Sequence, residues 1–312
     1  MKQALIDLLI CPNCLPGEYS LQVAGQEIRQ DDIFNGALSC PQCHRVYPIQ
    51  DGVAFLDPQQ QKTSQTQNRY ETPAVVASYL WSHYSDLLGD EMATDAYQRW
   101  AGLMQPSSGP CLDGGCAVGR FAFEMAKKFD LVVGLDNSVA FIRTARELLT
   151  KRRLNLALPE EGQLQRPVTL ELPSDWPTHN LDFIVADAQA LPFRSGTFAG
   201  LASLNMVDKL PQPLQHLGEI NRLAVPHGAQ FLFSDPFSWS TDVAPAMAWL
   251  GGTEAGPFAG RAQDNIMAFL EGKKGSLAPG WQVAEYGHIW WKIRTHCNHY
   301  EMIRSCFIKA HR

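Results

Sequence analysis

"CLDGGCAVGRFAFEMAKKFDLVVGLDNS", residues 111–138, runs a short apolar stretch into a turn of small residues, an amphipathic stretch and a second apolar stretch that ends in an acid. Strand, turn, helix and strand in that order form the smallest unit of a sheet wound with crossover helices. Val118, Phe121, Ala122, Met125, Ala126 and Phe129 share one helical face, and Lys127 and Lys128 stand near its C-terminal end, where they complement the free carbonyls. A dinucleotide fingerprint, Gly-x-Gly-x-x-Gly, fails in both frames. From Gly114 the middle position is Cys116, and from Gly115 the last is Arg120. The frame that fits is Asp113-x-Gly115-x-Ala117-x-Gly119, an acid followed by small residues at alternate positions and then a helix.

Outward from this unit the same alternation continues. "PCLD", "LVVGLD", "LDFIVAD", "GLASLN" and "AQFLFSD" read as buried parallel strands, being short apolar runs bounded by polar residues or glycine. Leu214, Leu217, Ile220, Leu223 and Ala224 mark a further helix face. Upstream, "PAVVASYLWSHYSDLLGD" and "ATDAYQRWAGLMQ" predict two aromatic-rich helices before the first strand, and base rates favour core packing for them over a cofactor lid. "VTLELP" within 150–180 predicts an extra strand, and the rest of that segment reads as a loop. The expected fold is α/β, a doubly wound Rossmann-like sheet preceded by a small α+β domain.

Ligands of such sheets sit beyond the C-terminal strand ends, where Asp113, Asp136, Asp187, Asn205 and Asp235 fall. Small residues at 115, 117 and 119 let a bulky nucleoside lie against the backbone, and the helix start offers N–H groups to a carboxylate. S-adenosylmethionine has that carboxylate and no pyrophosphate. Asp136, followed by Asn137, is spaced to accept from both ribose hydroxyls, and Asp187 and Ala188 are placed to address the adenine amino group. Alone, each of these residues is as readily a turn or helix cap; the case rests on their order.

Residues 105–240 resemble the class I S-adenosylmethionine-dependent methyltransferases, with Asp113, Gly115, Gly119, Asp136 and Asp187 on the cofactor motifs and Ala117 in place of the more usual glycine. More narrowly, "LDGGCAVGR", "LNMVDKL", "SDPFSW" and "WLGG" resemble the methyltransferase domain of ovothiol biosynthesis, which implies a mercaptohistidine nitrogen as acceptor. The closing "IWWKIRTHCNHYEMIRSCFIKAHR" departs from that group. Asn205, at the end of the fourth strand, is a candidate for the cofactor site and for substrate contact; the other candidate substrate contacts are Asp208, Asp235 and Trp239 after the fourth and fifth strands, with Tyr79, His83 and Tyr84 covering the cleft from the N-terminal helices. The bland alternatives are turn caps for the acids and packing for the tryptophan.

"CPNC" (11–14) and "CPQC" (40–43) are two Cys-x-x-Cys knuckles 25 residues apart. Two such turns can aim four thiolates, Cys11, Cys14, Cys40 and Cys43, at one tetrahedral ion, expected to be a structural Zn²⁺ because a closed four-sulfur shell leaves no open position. The competing reading is redox-active or simply buried thiols. Cys111, Cys116, Cys297 and Cys306 lack ligand spacing and read as core. "LICPNC" with "LSCPQCHRVYPIQDGVAFL" resembles the small zinc-binding activator subunit that partners methyltransferases of tRNA, ribosomal RNA and translation factors. Composition shifts at "DPQQQKTSQTQNRYET", so the expected division is 1–57 for the zinc-binding activator-like domain, 58–72 for a linker and 73–312 for the methyltransferase domain.

The whole chain of 312 residues is 45% hydrophobic and carries a formal net charge of -6, which argues against a general nucleic-acid-binding surface. It shows neither a leader nor a run of about 18 apolar residues, so a cytoplasmic location without a membrane partner is expected. Three functions follow. The first is methyl transfer to nitrogen or sulfur of a small molecule, an imidazole, thiol or amine. The second is methylation of RNA or protein, with the cysteine module positioning the substrate and Lys292, Arg294, Arg304, Lys309 and Arg312 as a local basic surface. The third is a noncatalytic S-adenosylmethionine sensor or assembly factor. The sequence assigns no general base and no oligomeric state.

Overall fold

The computed structural model describes residues 1–29, 32–58, 69–275 and 277–312. Most of the stretch read as a linker, residues 59–68, lies outside the described residues. The N-terminal module begins with short 3-10 turns through its first cysteine knuckle, then strands β1 (Gln22–Arg29), β2 (Asp32–Ser39), β3 (Val46–Gln50) and β4 (Val53–Ala54), paired antiparallel in chain order. Helices α1 (Pro73–Tyr84) and α2 (Ala96–Leu103) follow. Thr72 caps α1 by accepting from the Val75 N–H at 3.4 Å, and Pro73 at the first helical position gives up an N–H that would have had no partner.

The main sheet is then laid down as β5 (Pro110–Gly114), α3 (Arg120–Met125), β6 (Leu131–Asp136), α4 (Val139–Lys151), the hairpin β7 (Arg153–Pro159) and β8 (Gln165–Glu171), β9 (Leu181–Val185), β10 (Gly200–Leu204), α5 (Pro213–Leu223), β11 (Gln230–Asp235), α6 (Ala262–Leu270), β12 (Gln282–His296) and β13 (His299–His311). All five expected strands are present. The segment from 150 to 180 holds two strands rather than one, paired only with each other. α3 is shorter than its apolar face implied, and turns carry Ala126 and Phe129 into the core.

Strand order is β12-β13-β11-β10-β5-β6-β9, with the five strands β11 to β9 parallel and β13 and β12 antiparallel. The doubly wound expectation therefore holds, extended by a long antiparallel hairpin that makes the sheet mixed. Neighbouring residues point to opposite faces. Cys111, Val132, Phe183, Ala202, Leu232 and Phe307 pack under α1–α4, whereas Leu112, Val133, Ile184, Leu201, Phe231 and Ile308 pack under α5, α6 and the module. Burial of both faces explains the unbroken apolar runs.

The chain leaves β5 toward β6 and β9, then returns to β10 on the other side, so the winding reverses between β5 and β10. A crevice opens at such a switch point above the strand ends.

The module shares the core on the α5 side. Leu5, Leu9, Leu21, Ile33, Tyr47 and Leu56 are continuous with Ile184, Leu191, Phe193 and Phe198. Phe55 bridges in parallel to Val185 at the outer edge of β9, and Leu9 bridges to Phe193. Arg146 of α4 joins the two parts by ion pairs to Asp32 of β2 and to Asp182, which is wholly buried on β9. Arg146→Ala leaves the Asp182 carboxylate without its cation, and the expected loss is about 3–5 kcal/mol, read from the denaturant midpoint at an unchanged m-value.

Candidate active site

The turn after β5 needs small residues because its backbone alternates in hand. Gly115, Ala117 and Gly119 have φ of +73°, +46° and +86°. A Cβ on Gly119 would stand 2.6 Å from the Phe183 ring, and one on Gly115 2.5 Å from Met206 Sδ. Gly119→Ala combines left-handed strain with overpacking, an expected loss of about 2–5 kcal/mol, whereas Ala117→Gly is expected to be neutral or stabilising by up to about 1 kcal/mol; chemical denaturation separates the two.

Above the turn lies a cavity of about 460 Å³. Its floor holds Asp113, Gly115, Ala117, Asp136, Asn137, Asp187, Ala188 and Asn205, and its roof includes Tyr79 and His83. Gly119 does not line it but shapes the turn. Tyr84, Asp208, Asp235 and Trp239 stand outside. Tyr84 is buried and donates to the Val118 carbonyl at 2.8 Å, holding the turn from above. Asp208 and Asp235 are buried together: Asp235 accepts from the Asp208 and Phe237 N–H groups, and Asp208 accepts from Ser238 N–H and pairs with Lys209. Burial and the Asp208 charge hold the Asp235 carboxyl well above the usual carboxylate range. Trp239 stacks between Phe237 and Trp249.

Asp136 accepts from Ala117 N–H at 3.0 Å and Ser138 N–H at 2.9 Å, one bond per oxygen. The Asn137 N–H also faces this carboxylate, and of about four acceptor sites at least one stays open for a ligand. Asp113 is buried, and its Oδ2 has no hydrogen-bond partner among the described residues. Removal from water pushes the Asp113 carboxyl up to about 7 and the Asp136 carboxyl up to about 6, with backbone N–H groups opposing in both cases. Each group's raised value favours the folded state fully below the ordinary 3.8, and that contribution is lost as pH rises through 6 to 7. A cationic ligand that binds the ionised forms works the other way. Its affinity is expected to fall about tenfold per pH unit from pH 7 to pH 6, as Asp113 takes up its proton, and more steeply below pH 6, as Asp136 follows, as checked by titrating S-adenosylmethionine at pH 5.5 and pH 8.

The lining includes residues that sequence reasoning passed over: Tyr70, Tyr97, Phe121, Phe141 and Trp291. Phe141, Tyr79, His83 and Tyr97 form a row with ring centroids 4.7, 6.0 and 4.3 Å apart. His83 Nε2 and the Tyr97 hydroxyl share a 2.6 Å hydrogen bond, and burial with the Arg120 charge lowers His83 to about 3, so its ring is neutral. Arg120 fastens this roof to the turn through a bidentate pair with Asp86 and a bond to the His83 carbonyl at 3.0 Å. On the far wall Trp291 donates to Ser305 Oγ at 2.9 Å, and Ser305 donates to Asn205 Oδ1 at 2.5 Å, so the Asn205 carboxamide oxygen faces β13. Lys209 is the one cation on the wall among the described residues, and it is already paired.

In the module, the four cysteine sulfurs lie within 4.8 Å of one another, with Cys11–Cys43 at 3.6 Å and Cys14–Cys40 at 3.8 Å. A tetrahedron of ~2.3 Å metal–sulfur bonds has edges of about 3.8 Å, whereas a disulfide requires about 2.05 Å. The donor set fits one tetrahedral ion, and no other group of metal-ligating side chains is so placed among the described residues.

Residues 112–232 match the family described as a methyltransferase domain, and residues 2–52 match the family described as Trm112p-like protein. No curated protein matches the chain. Similar solved structures include a chain from the complex of the Haloferax volcanii Trm112 methyltransferase activator, at 15% identity, 78% of this chain, 99% of that one and a TM-score of 0.47. Others are S-adenosylmethionine-dependent methyltransferases of Aquifex aeolicus (13% identity, 77% and 97% coverage, TM-score 0.44) and Methanosarcina mazei (15%, 68% and 95%, 0.43). The chain thus matches a methyltransferase domain behind a Trm112p-like one, and methyl transfer is the activity these matches support. Among the described residues no helix is long and apolar enough to cross a membrane.

Proposed function

We propose that this enzyme methylates a nitrogen or sulfur of a small molecule, an imidazole, thiol or amine metabolite, and that Zn²⁺ on Cys11, Cys14, Cys40 and Cys43 is structural. The observation that carries the reading is the cavity itself: about 460 Å³, roofed by aromatic rings and floored by carboxylates, with the one wall cation among the described residues, Lys209, paired. Such a space suits a neutral or cationic planar acceptor and disfavours a polyanion. The ovothiol-like segments support an imidazole within that class.

In this reading Asp136 and Asn137 hold the ribose, Asp187 and Ala188 the adenine, and the turn at Gly115, Ala117 and Gly119 the carboxylate. When bound, S-adenosylmethionine supplies a methyl group on a sulfonium, ready for in-line displacement. Tyr79, Tyr97 and Trp291 exclude water from the line of attack, and Asn205 orients the acceptor. Neutral His83 fixes the Tyr97 hydroxyl rather than carrying a proton.

The Trm112p-like match favours a second reading, an RNA or protein acceptor positioned by the module. Against it, Arg294 and Lys309 are buried and Arg312 is bound to Asn221 and the Ala224 carbonyl, which leaves Lys292 and Arg304 of the five basic residues at the C-terminus. Incubation with labelled S-adenosylmethionine and cell extract separated into metabolite, RNA and protein fractions tests both. Label in metabolites is expected. Label only in RNA or protein overturns the first reading, and label in none, with cofactor binding intact, favours a sensor.

A further inference from the structure

Carboxylates stand at the ends of successive strands along one side of the cavity: Asp113 on β5, Asp136 on β6, Asp187 past β9, and Asp57 from the cysteine module. Asp57 arrives by a defined route. Phe55 N–H donates to the Pro48 carbonyl on β3 at 3.0 Å, while Leu56 N–H donates to the Val185 carbonyl of β9 at 2.7 Å. One stretch of backbone is therefore bonded to the module on one side and to the main sheet on the other. Phe55 bridges in parallel to Val185, and Asp57 and Asp187, each two residues further along its own chain segment, both line the cavity. On the other flank, the Arg45 guanidinium, two residues beyond Cys43, donates to the Pro58 carbonyl. Val53, Ala54, Phe55 and Leu56 are all buried, so the segment that presents Asp57 is anchored by packing as well.

Asp187 spends one oxygen on its own loop, where Oδ1 accepts from the Gln189 N–H at 2.8 Å and side-chain amide at 3.3 Å. A nucleoside whose ribose lies at Asp136 extends its base toward the end of β9, and adenine offers two N–H bonds from its 6-amino group. We propose that Asp57 accepts one of them, which makes the cysteine module part of the cofactor site and a determinant of base specificity. This rests on the S-adenosylmethionine reading above. A carboxylate has acceptors only, so it binds a 6-amino group and repels a 6-keto oxygen. Asparagine at the same place can turn its NH₂ toward the keto group.

The test is calorimetric titration of S-adenosylhomocysteine and of its 6-oxo (inosine) counterpart into the intact, metal-loaded wild type, Asp57→Asn and Asp57→Ala. The wild type is expected to prefer the amino ligand by about tenfold or more, and both variants to lose several-fold of that preference, Asp187 keeping the rest, chiefly by weaker binding of the amino ligand. The ratio is taken within one protein, so partial unfolding of a variant does not affect it. An unchanged ratio in both variants, whether affinity for the two ligands is kept or falls equally, overturns the proposal. Absence of S-adenosylhomocysteine binding to the wild type overturns the cofactor reading and this inference with it.

Discussion

Cys40→Ser is expected to abolish binding of the proposed Zn²⁺ and to cost at least ~5 kcal/mol of stability, with a fall in melting temperature of about 10 °C or more. Cys40 is buried at the meeting point of both knuckles, within a core that runs unbroken from the module into the main sheet. Structural zinc in small modules contributes on the order of 10–16 kcal/mol of binding free energy that is at the same time folding free energy. The loss here is smaller because the module also buries Leu5, Leu9 and Ile33 against the domain. Elemental analysis of the purified protein should give one metal ion per chain, falling to none in the variant, and calorimetry should show the lowered transition. A metal-free protein of undiminished stability would contradict the account.

Asp136→Ala is expected to weaken S-adenosylmethionine binding by more than about a hundredfold. Two effects add. The ligand loses hydrogen bonds to a charged acceptor, about 1.5–3 kcal/mol each, and the Ala117 and Ser138 N–H groups lose the carboxylate that fixes the turn. Asp136→Asn keeps the shape and one acceptor oxygen, so a smaller loss, about tenfold, is expected. Binding titrations of both variants measure this, and equal affinity for wild type and Asp136→Ala would remove Asp136 from the site.

The parallel strands were legible because strands buried on both faces leave apolar runs, as in 131–135 and 183–186. The turn was legible because alternating left-handed residues demand small side chains at 115, 117 and 119. The antiparallel hairpin was not. Its residues 290–294 mix exposed Trp290 with buried Trp291 and Arg294, and a buried arginine paired to Glu160 reads in sequence as surface charge. The roof was half legible. Tyr79 and His83 stood out on a helix, but Tyr97 looked like core packing, and Tyr70 lay in a polar stretch whose composition gave no sign of burial against Phe141. Asp208 and Asp235 carried the right strand-end signal, yet they face each other and the loop backbone rather than the cavity. Sequence places a residue at a strand end; only packing decides which side of the end its side chain takes.

The central claim is that the cavity above β5 and β6 receives a sulfonium nucleoside. Titration of the intact protein with S-adenosylmethionine, S-adenosylhomocysteine and NADH tests it most directly. The account predicts one site per chain for each of the first two and no heat with NADH. A clear response to NADH, with none to either nucleoside, would contradict it.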